Sequence, residues 1–417
     1  MKKIIIEGRK KISGTIKISG AKNSIVALIP ATVLTNGKCV IKNVPDITDV
    51  KTLLEIMKDL GSVITFENDT LTIDNKNLQN KLIDEKHASK LRASYYFMGS
   101  LIGKYHKVSI AYPGGCVIGS RPIDIHIDAF KKMGIDIIEN GSIFDMSVDE
   151  LNGIQIYLNF PSVGATINIM LASVLAKGTT VIENAAKEPE ISNIASFLNS
   201  MGARVFGAGT SRIVIEGVES LGDGFVETIP DRIETGTYVI IGALLGNNLR
   251  VENVIPTHIE ALLYKLKEAG VKYSLDGNSI VVSATENLKP INVKTSVYPG
   301  FPTDLGQPIS TFLTQCNGEC LFEETIYENR LRHVPHLNAM GANVKAFDNR
   351  AIITGKTPLH GRKVKATDLR AGASMLVAGL IADGVTEIQN IEHLLRGYER
   401  IVDKLSQVGV NIKLIDE

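Results

Sequence analysis

Apolar and polar positions along the chain repeat in a long unit that occurs six times. Each unit holds an amphipathic helical pattern that ends in glycine and runs into an apolar, β-rich stretch: IMKDLGSVI, FKKMGIDI, LNSMGARV, LKEAGVKY, LNAMGANV and LSQVGVNI. The glycines are Gly61, Gly134, Gly202, Gly270, Gly341 and Gly409, spaced by subtraction 73, 68, 68, 71 and 68 residues apart. Glycine suits a helix end because it enters the left-handed region without a Cβ clash.

Ahead of the amphipathic helices lies a second pattern, rich in small apolar residues, that runs into Gly or Asn and then a strand. Examples are ATVLTNGKCVIKNV, ASVLAKGTTVIENA and VAGLIADGVTEIQN. A helix apolar nearly all round is a buried one. The strand after the marker glycine turns back through hairpin-like sequences such as FENDT, LDGN and FDNR. Each unit therefore reads helix, strand, helix, strand, strand, with the first helix packed among its equivalents and the second covering an outer sheet. The last unit has one strand after Gly409, whereas KIIIEG and GTIKIS at the start of the chain are spare strand sequence. The expected fold is α/β, with residues 22–229 as a first three-repeat domain and residues 1–21 with 230–417 as a second, completed by the N-terminal strands. Two connecting strands would join the domains across a cleft.

A chain of 417 residues is long for one core, which agrees with two domains. Lys+Arg and Asp+Glu both number 45, so nothing global points to nucleic acid or an anionic membrane, and an anion site must be built locally. Four cysteines (Cys39, Cys116, Cys316, Cys320) are too few for a disulfide scaffold, and the last two lack the spacing of a zinc or thioredoxin motif. The basic opening MKKIIIEGRKK has a very short apolar run, and no later stretch approaches roughly eighteen apolar residues. These features predict a reduced, cytoplasmic protein.

Candidate chemistry concentrates in PGGCVIGSRP, residues 113–122, where Cys116 and Arg121 share a Gly-rich loop and the guanidinium could favour the thiolate. An ordinary turn with a packed cysteine remains open on these residues alone. The buried helices open on Lys22 and Asn23, Arg92, Ser162–Thr166, Arg232, Asp304, and Asp368 with Arg370. Helix N-termini attract anions, and cations placed there are unfavourable unless an anion joins them, so the pattern predicts an anionic ligand. GTIKISGAKNS fails as a P-loop because Ala21, not Lys, follows the second glycine. His126, His258, His333, His336 and His393 lack ligand spacing, and no metal site is expected.

Taken together, GAKNS, PGGCVIGSRPIDIH, SVGAT, YPGFPTD, ENR and RGYERI make the chain resemble the UDP-N-acetylglucosamine enolpyruvyl (1-carboxyvinyl) transferase family over essentially its full length. The resemblance implies a pair of inside-out α/β barrels and transfer of the enolpyruvyl group of phosphoenolpyruvate to a sugar 3-hydroxyl, the first committed step of peptidoglycan synthesis. By the same resemblance Cys116 is the general acid, open to a covalent phosphoenolpyruvate or fosfomycin adduct, and Asp304 is the base. Lys22, Arg121 and Arg396 hold phosphoenolpyruvate, with Asn23 beside them. Nucleotide-sugar contacts fall to Arg92, Arg121, Pro122, Ile123, Asp124, Ile125, Ser162, Val163, Gly164 and Ile326. Arg330 and Arg370 are also implied to bind substrate. The residues before SVGAT are NFP, without a basic side chain, which leaves the diphosphate there to backbone and hydroxyl groups. No cofactor, nucleic acid, membrane or obligate protein partner is implied. The alternative is the shikimate-pathway enolpyruvyl transferase, against which the cysteine loop argues.

Overall fold

A computed structural model describes residues 2–114 and 123–416. They fall into two compact units, one of residues 20–114 and 123–229 and the other of residues 2–19 and 230–416. Each unit has its own apolar core.

The unit of residues 20–229 is built around three inner helices, α1 (Lys22–Ala31), α2 (Tyr96–Tyr105) and α3 (Val163–Ser173). In α1 every residue from Ser24 to Ala31 is buried, as its lack of a polar face requires. Helices α2 and α3 meet backbone to backbone. A Cβ at Gly99 would lie 2.6 Å from the Asn168 carbonyl oxygen, and one at Gly103 would lie 2.7 Å from that of Leu171. The outer helices Thr48–Asp59, Asp124–Lys132 and Pro189–Ser200 bury one face each.

The second unit repeats this plan with inner helices α4 (Arg232–Leu245), α5 (Gly306–Leu313) and α6 (Leu369–Ile381). Its outer helices are Glu260–Glu268, Val334–Ala339 and Ile401–Gln407. All six marker glycines close their outer helices at positive φ, between 80° and 108°, so the periodic signal in the sequence has a single backbone cause.

Each unit has three sheets among the described residues. Five of the six sheets have four strands rather than the three that each repeat was expected to supply. The additional strands are Thr15–Lys17, Gln155–Tyr157, Gly224–Glu227, Val293–Lys294 and Lys363–Lys365, each parallel to its neighbour. At two to four residues they are too short to show alternation. In the sixth sheet the equivalent is a lone parallel bridge between Ile83 and Ile110.

Two of the short strands are exchanged. Thr15–Lys17 leads into α1 yet pairs with Leu249–Glu252, which follows α4. Gly224–Glu227 leads into α4 yet pairs with Lys38–Lys42, which follows α1. Asn43, Asn184 and Asn253 end the equivalent strands in the left-handed conformation, and their side-chain amides donate to Thr228, Leu158 and Ile18 in the segment leading to an inner helix. Lys2–Glu7 lies between Val385–Gln389 and Asn411–Asp416, antiparallel to both, with Ile4 and Ile6 fully buried.

Candidate active site

In the unit of residues 230–416, Asp304 sits in the 3-10 turn Thr303–Leu305 that feeds α5. Its two carboxylate oxygens accept from different guanidinium groups, Arg330 at 2.5 Å and Arg370 at 2.8 Å. The arginine side chains are 2% and 6% exposed while Asp304 is 22% exposed, so the carboxylate is the member of the triad that faces outward. Arg370 stands in the first turn of α6, and the Asp368 carboxylate caps that turn by accepting from the Arg370 and Ala371 N–H groups. Burial works against the Arg370 charge, but the Asp304 carboxylate, Tyr398 and Asp231 together outweigh it and hold the guanidinium above its ordinary pKa. Arg370 also lies 5.8 Å from the centre of the Tyr398 ring, whose hydroxyl meets Thr237 at 2.9 Å. Arg330 is fixed by Gln307, at 3.4 Å from its Nε, and by the Tyr327 ring at 5.2 Å. This arrangement presents an oriented, charge-paired carboxylate at a helix start, suited to taking a proton from a hydroxyl group.

The same unit places Ile326 on the loop between Glu324 and Arg330, its N–H donating to the Glu324 carboxylate at 2.8 Å. Arg396 follows the short helix Glu392–Leu395 and is half-buried.

In the unit of residues 20–229, Lys22 opens α1 after Ala21, which offers no side-chain cap. The Lys22 ammonium meets the buried Asp49 carboxylate at 2.8 Å. Asp49 comes from the first turn of Thr48–Asp59, so an outer helix positions the inner helix's cation. Asn23 lies beside it, half-buried. Asn193 secures the start of α1, accepting from the Ser24 hydroxyl at 2.5 Å and donating to the Glu227 carbonyl at 3.0 Å.

Ser162 caps α3 by accepting from the Ala165 N–H, followed by Val163 and the buried Gly164. Ile123 is the N-cap of Asp124–Lys132, and Asp124 and Ile125 fall in its first turn. His126 on that helix links these two groups. Its Nδ1 lies 2.8 Å from the Asn168 amide nitrogen of α3, an arrangement that assigns the neutral ring's proton to Nε2. Burial first, and then the Arg92 charge, push the His126 pKa down to about 3. A Cβ on Gly164 would lie 2.7 Å from Cε1 and 2.8 Å from Nε2 of His126. The buried His126 imidazole thus lies against Gly164 in the first turn of α3 and within reach of the charge of Arg92, which opens the turn Arg92–Tyr95.

Cys116, Arg121 and Pro122 lie outside the described residues. The other cysteines, Cys39, Cys316 and Cys320, are free thiols with no exposed surface. Sequence reasoning missed Asp49, Asn168 and Glu324, and treated His126 as a scattered histidine. Asp49, at the start of an outer helix, has the pattern of any acidic first-turn residue, and the others act through contacts far apart in the chain.

The EPSP synthase (3-phosphoshikimate 1-carboxyvinyltransferase) family pattern matches residues 6–405. UDP-N-acetylglucosamine 1-carboxyvinyltransferase 2 of Bacillus anthracis is 50% identical over 414 residues, covering 99% of this chain and 96% of its own. The protein of the same name in Listeria monocytogenes serovar 1/2a is 48% identical over 411 residues, covering 98% and 97%. The enolpyruvyl transferase NikO from Streptomyces tendae superposes with a TM-score of 0.90 at 24% identity, over 99% of both chains. EPSP synthase from Acinetobacter baumannii does so at 0.74 and 19% identity over the whole of both chains, so these two structures speak to the fold alone. The chain therefore belongs to the enolpyruvyl transferase family, among the UDP-N-acetylglucosamine 1-carboxyvinyltransferases.

Proposed function

We propose that the chain transfers the enolpyruvyl group of phosphoenolpyruvate to the 3-hydroxyl of UDP-N-acetylglucosamine and releases phosphate, a first step in making peptidoglycan. The observation that carries this reading is the near-full-length identity of about half to relatives of that name. The Asp304 triad and the Lys22–Asp49 pair support it.

In this reading the reaction is an addition followed by an elimination. The sugar 3-oxygen bonds to C2 of phosphoenolpyruvate as its proton passes to Asp304, and the methylene carbon gains a proton from Cys116. The resulting tetrahedral ketal loses phosphate and a methyl proton to give the enol ether. Arg330 and Arg370 hold the Asp304 oxygens in place, which favours a fixed line of proton transfer. Lys22, Arg121 and Arg396 supply charge to the phosphate and carboxylate of phosphoenolpyruvate, with Asn23 beside them. The nucleotide sugar falls to Arg92, Arg121 to Ile125, the start of α3 at Ser162–Gly164, and Ile326. Ordered N–H groups at a helix start suit a diphosphate without a basic residue before Ser162. Free thiols at Cys39, Cys316 and Cys320 and these soluble substrates support a cytoplasmic location.

The test is phosphate release from phosphoenolpyruvate, measured alone, with UDP-N-acetylglucosamine and with shikimate 3-phosphate. Release that depends on the nucleotide sugar supports the reading. Release that depends on shikimate 3-phosphate, or on neither acceptor, overturns it.

A further inference from the structure

Glu324 is a buried carboxylate whose hydrogen bonds come from uncharged groups, and it takes no part in the chemistry above. It is 2% exposed and follows the strand Gly318–Glu323. One oxygen accepts from the Thr295 hydroxyl at 2.9 Å, the Ile326 N–H at 2.8 Å and the Tyr327 N–H at 3.3 Å. The other accepts from the Thr303 hydroxyl at 2.8 Å. Burying a carboxylate is costly, and it is retained where several donors satisfy it in fixed directions.

The two oxygens point to different parts of the site. Thr303 immediately precedes Asp304 in the turn Thr303–Leu305, whereas Ile326 and Tyr327 begin the loop that delivers Arg330. Arg330 returns to Asp304 at 2.5 Å, and Gln307 in α5 donates to the Arg330 carbonyl at 3.3 Å. The contacts form a closed ring from Glu324 through Thr303 and Asp304 to Arg330 and back along residues 330–326. Cutting the ring at Glu324 would leave the Asp304 turn and the Arg330 loop joined by the ion pair and the Gln307 contacts to Arg330, with nothing fixing Thr303 to residues 326–327. Geometric error on the scale of an ångström at a reacting group lowers rates far more than it lowers affinity.

We infer that Glu324 is a positioning residue for Asp304, setting the carboxylate's place through the Thr303 hydroxyl and locking the Arg330 loop to the same point. The inference rests on the reading of Asp304 as the base for the sugar hydroxyl. It concerns hold rather than charge, so glutamine, which can still accept from the backbone N–H groups and donate to Thr303, should largely replace glutamate.

The experiment compares wild type with Glu324→Ala, Glu324→Gln and Thr303→Val, and uses Asn338→Ala as a control. Asn338 lies on the outer helix Val334–Ala339, bonds both backbone groups of Val344 and is no member of the ring. Turnover is expressed per site competent to bind UDP-N-acetylglucosamine, counted by calorimetric titration, so that misfolded protein does not lower kcat. Glu324→Ala and Thr303→Val are expected to lower kcat by about tenfold or more, with the KM for phosphoenolpyruvate within about threefold. Glu324→Gln should stay within about threefold of wild type, and Asn338→Ala should lose stability with kcat within about twofold. Should Glu324→Ala fail to fold, Thr303→Val decides, since it removes one hydroxyl at constant volume. Normal kcat per site in Thr303→Val, or Glu324→Gln as impaired as Glu324→Ala, overturns the inference alone. A wild-type chain that does not release phosphate overturns the functional reading and the inference with it.

Discussion

The Arg370 guanidinium donates to the Asp304 carboxylate at 2.8 Å from a side chain only 6% exposed, while Arg330 holds the other oxygen from a comparably buried position. Two buried cations therefore share one partly open anion. Asp304→Asn is expected to lower kcat by at least about a hundredfold. It should also destabilise its unit by about 3–5 kcal/mol, the usual cost of removing one partner of a buried pair. Adding Arg370→Met should recover stability but not turnover, because it removes a stranded charge. Denaturant midpoints of the single and double variants check this, and a double variant no more stable than Asp304→Asn would contradict it.

Asp49→Asn tests the hold on Lys22. The ion pair at 2.8 Å fixes the ammonium at the start of α1, and an uncharged partner would let it wander. The KM for phosphoenolpyruvate should rise by about five- to tenfold, with the affinity for UDP-N-acetylglucosamine within about twofold. An unchanged KM would show that Lys22 does not need this anchor.

Gly164→Ala should weaken binding of UDP-N-acetylglucosamine by about tenfold or more. The new Cβ would fall 2.7 Å from His126 and 3.0 Å from the Tyr95 hydroxyl, and the His126 ring is held by Asn168. Calorimetry with UDP itself should show the same loss, since the displaced element is the proposed diphosphate site. Equal affinity for UDP in variant and wild type would remove α3 from that role.

Acid should weaken both units through their buried histidines. Burial holds His126 near a pKa of about 3 and His333 near about 4, below the ordinary value of about 6.5. The unfolded chain binds protons at these sites as pH falls below about 6.5, and the folded chain does not until about pH 4 or 3. Stability is therefore kept above about pH 6.5 and lost progressively below it, by up to about 1.4 kcal/mol per pH unit for each histidine. Urea midpoints for wild type and His126→Gln, measured from about pH 7.5 to about pH 4.5, should diverge in that window with the variant shallower. Parallel curves would refute the assignment.

Alkylation should reach one thiol. Burial pushes the Cys39 thiol up to about 12, and Cys316 and Cys320 have no exposed surface, which leaves Cys116 for iodoacetamide and for fosfomycin. Intact mass and peptide mapping should find a single adduct, on Cys116. An adduct on any other cysteine would count against it as the reactive residue.

The repeating architecture was legible because its signals are local. A left-handed glycine at every outer-helix end and a β-turn at Asn68 and Asp69, both at positive φ, are consequences of backbone sterics that any single repeat displays. The inner helices were legible for the opposite reason, since α1 has no polar face to offer water. Of the short parallel strands, Thr15–Lys17 falls within GTIKIS and was legible as strand sequence, whereas the others escaped because two to four residues cannot show a period, and the second repeat reduces its own to the Ile83–Ile110 bridge. At the site, motif positions such as Lys22 and Asp304 stood out, but their supports did not. Asp49, Asn168 and Glu324 matter through contacts to residues 27, 42 and 21 positions away, respectively, and no pattern along the chain encodes such contacts.

The place of Lys2–Glu7 has a consequence for the order in which the protein takes shape during synthesis. This strand leaves the ribosome long before either of its neighbours, Val385–Gln389 and Asn411–Asp416. Residues 20–229 hold their own sheets and core and have no need to wait. The KKIIIE segment, with Ile4 and Ile6 destined for full burial, must stay unpaired until residues 385–389 have been made. Charge on a strand is a common guard against pairing with other chains, and Lys2 and Lys3 place it on this segment while its native neighbours are still to be made.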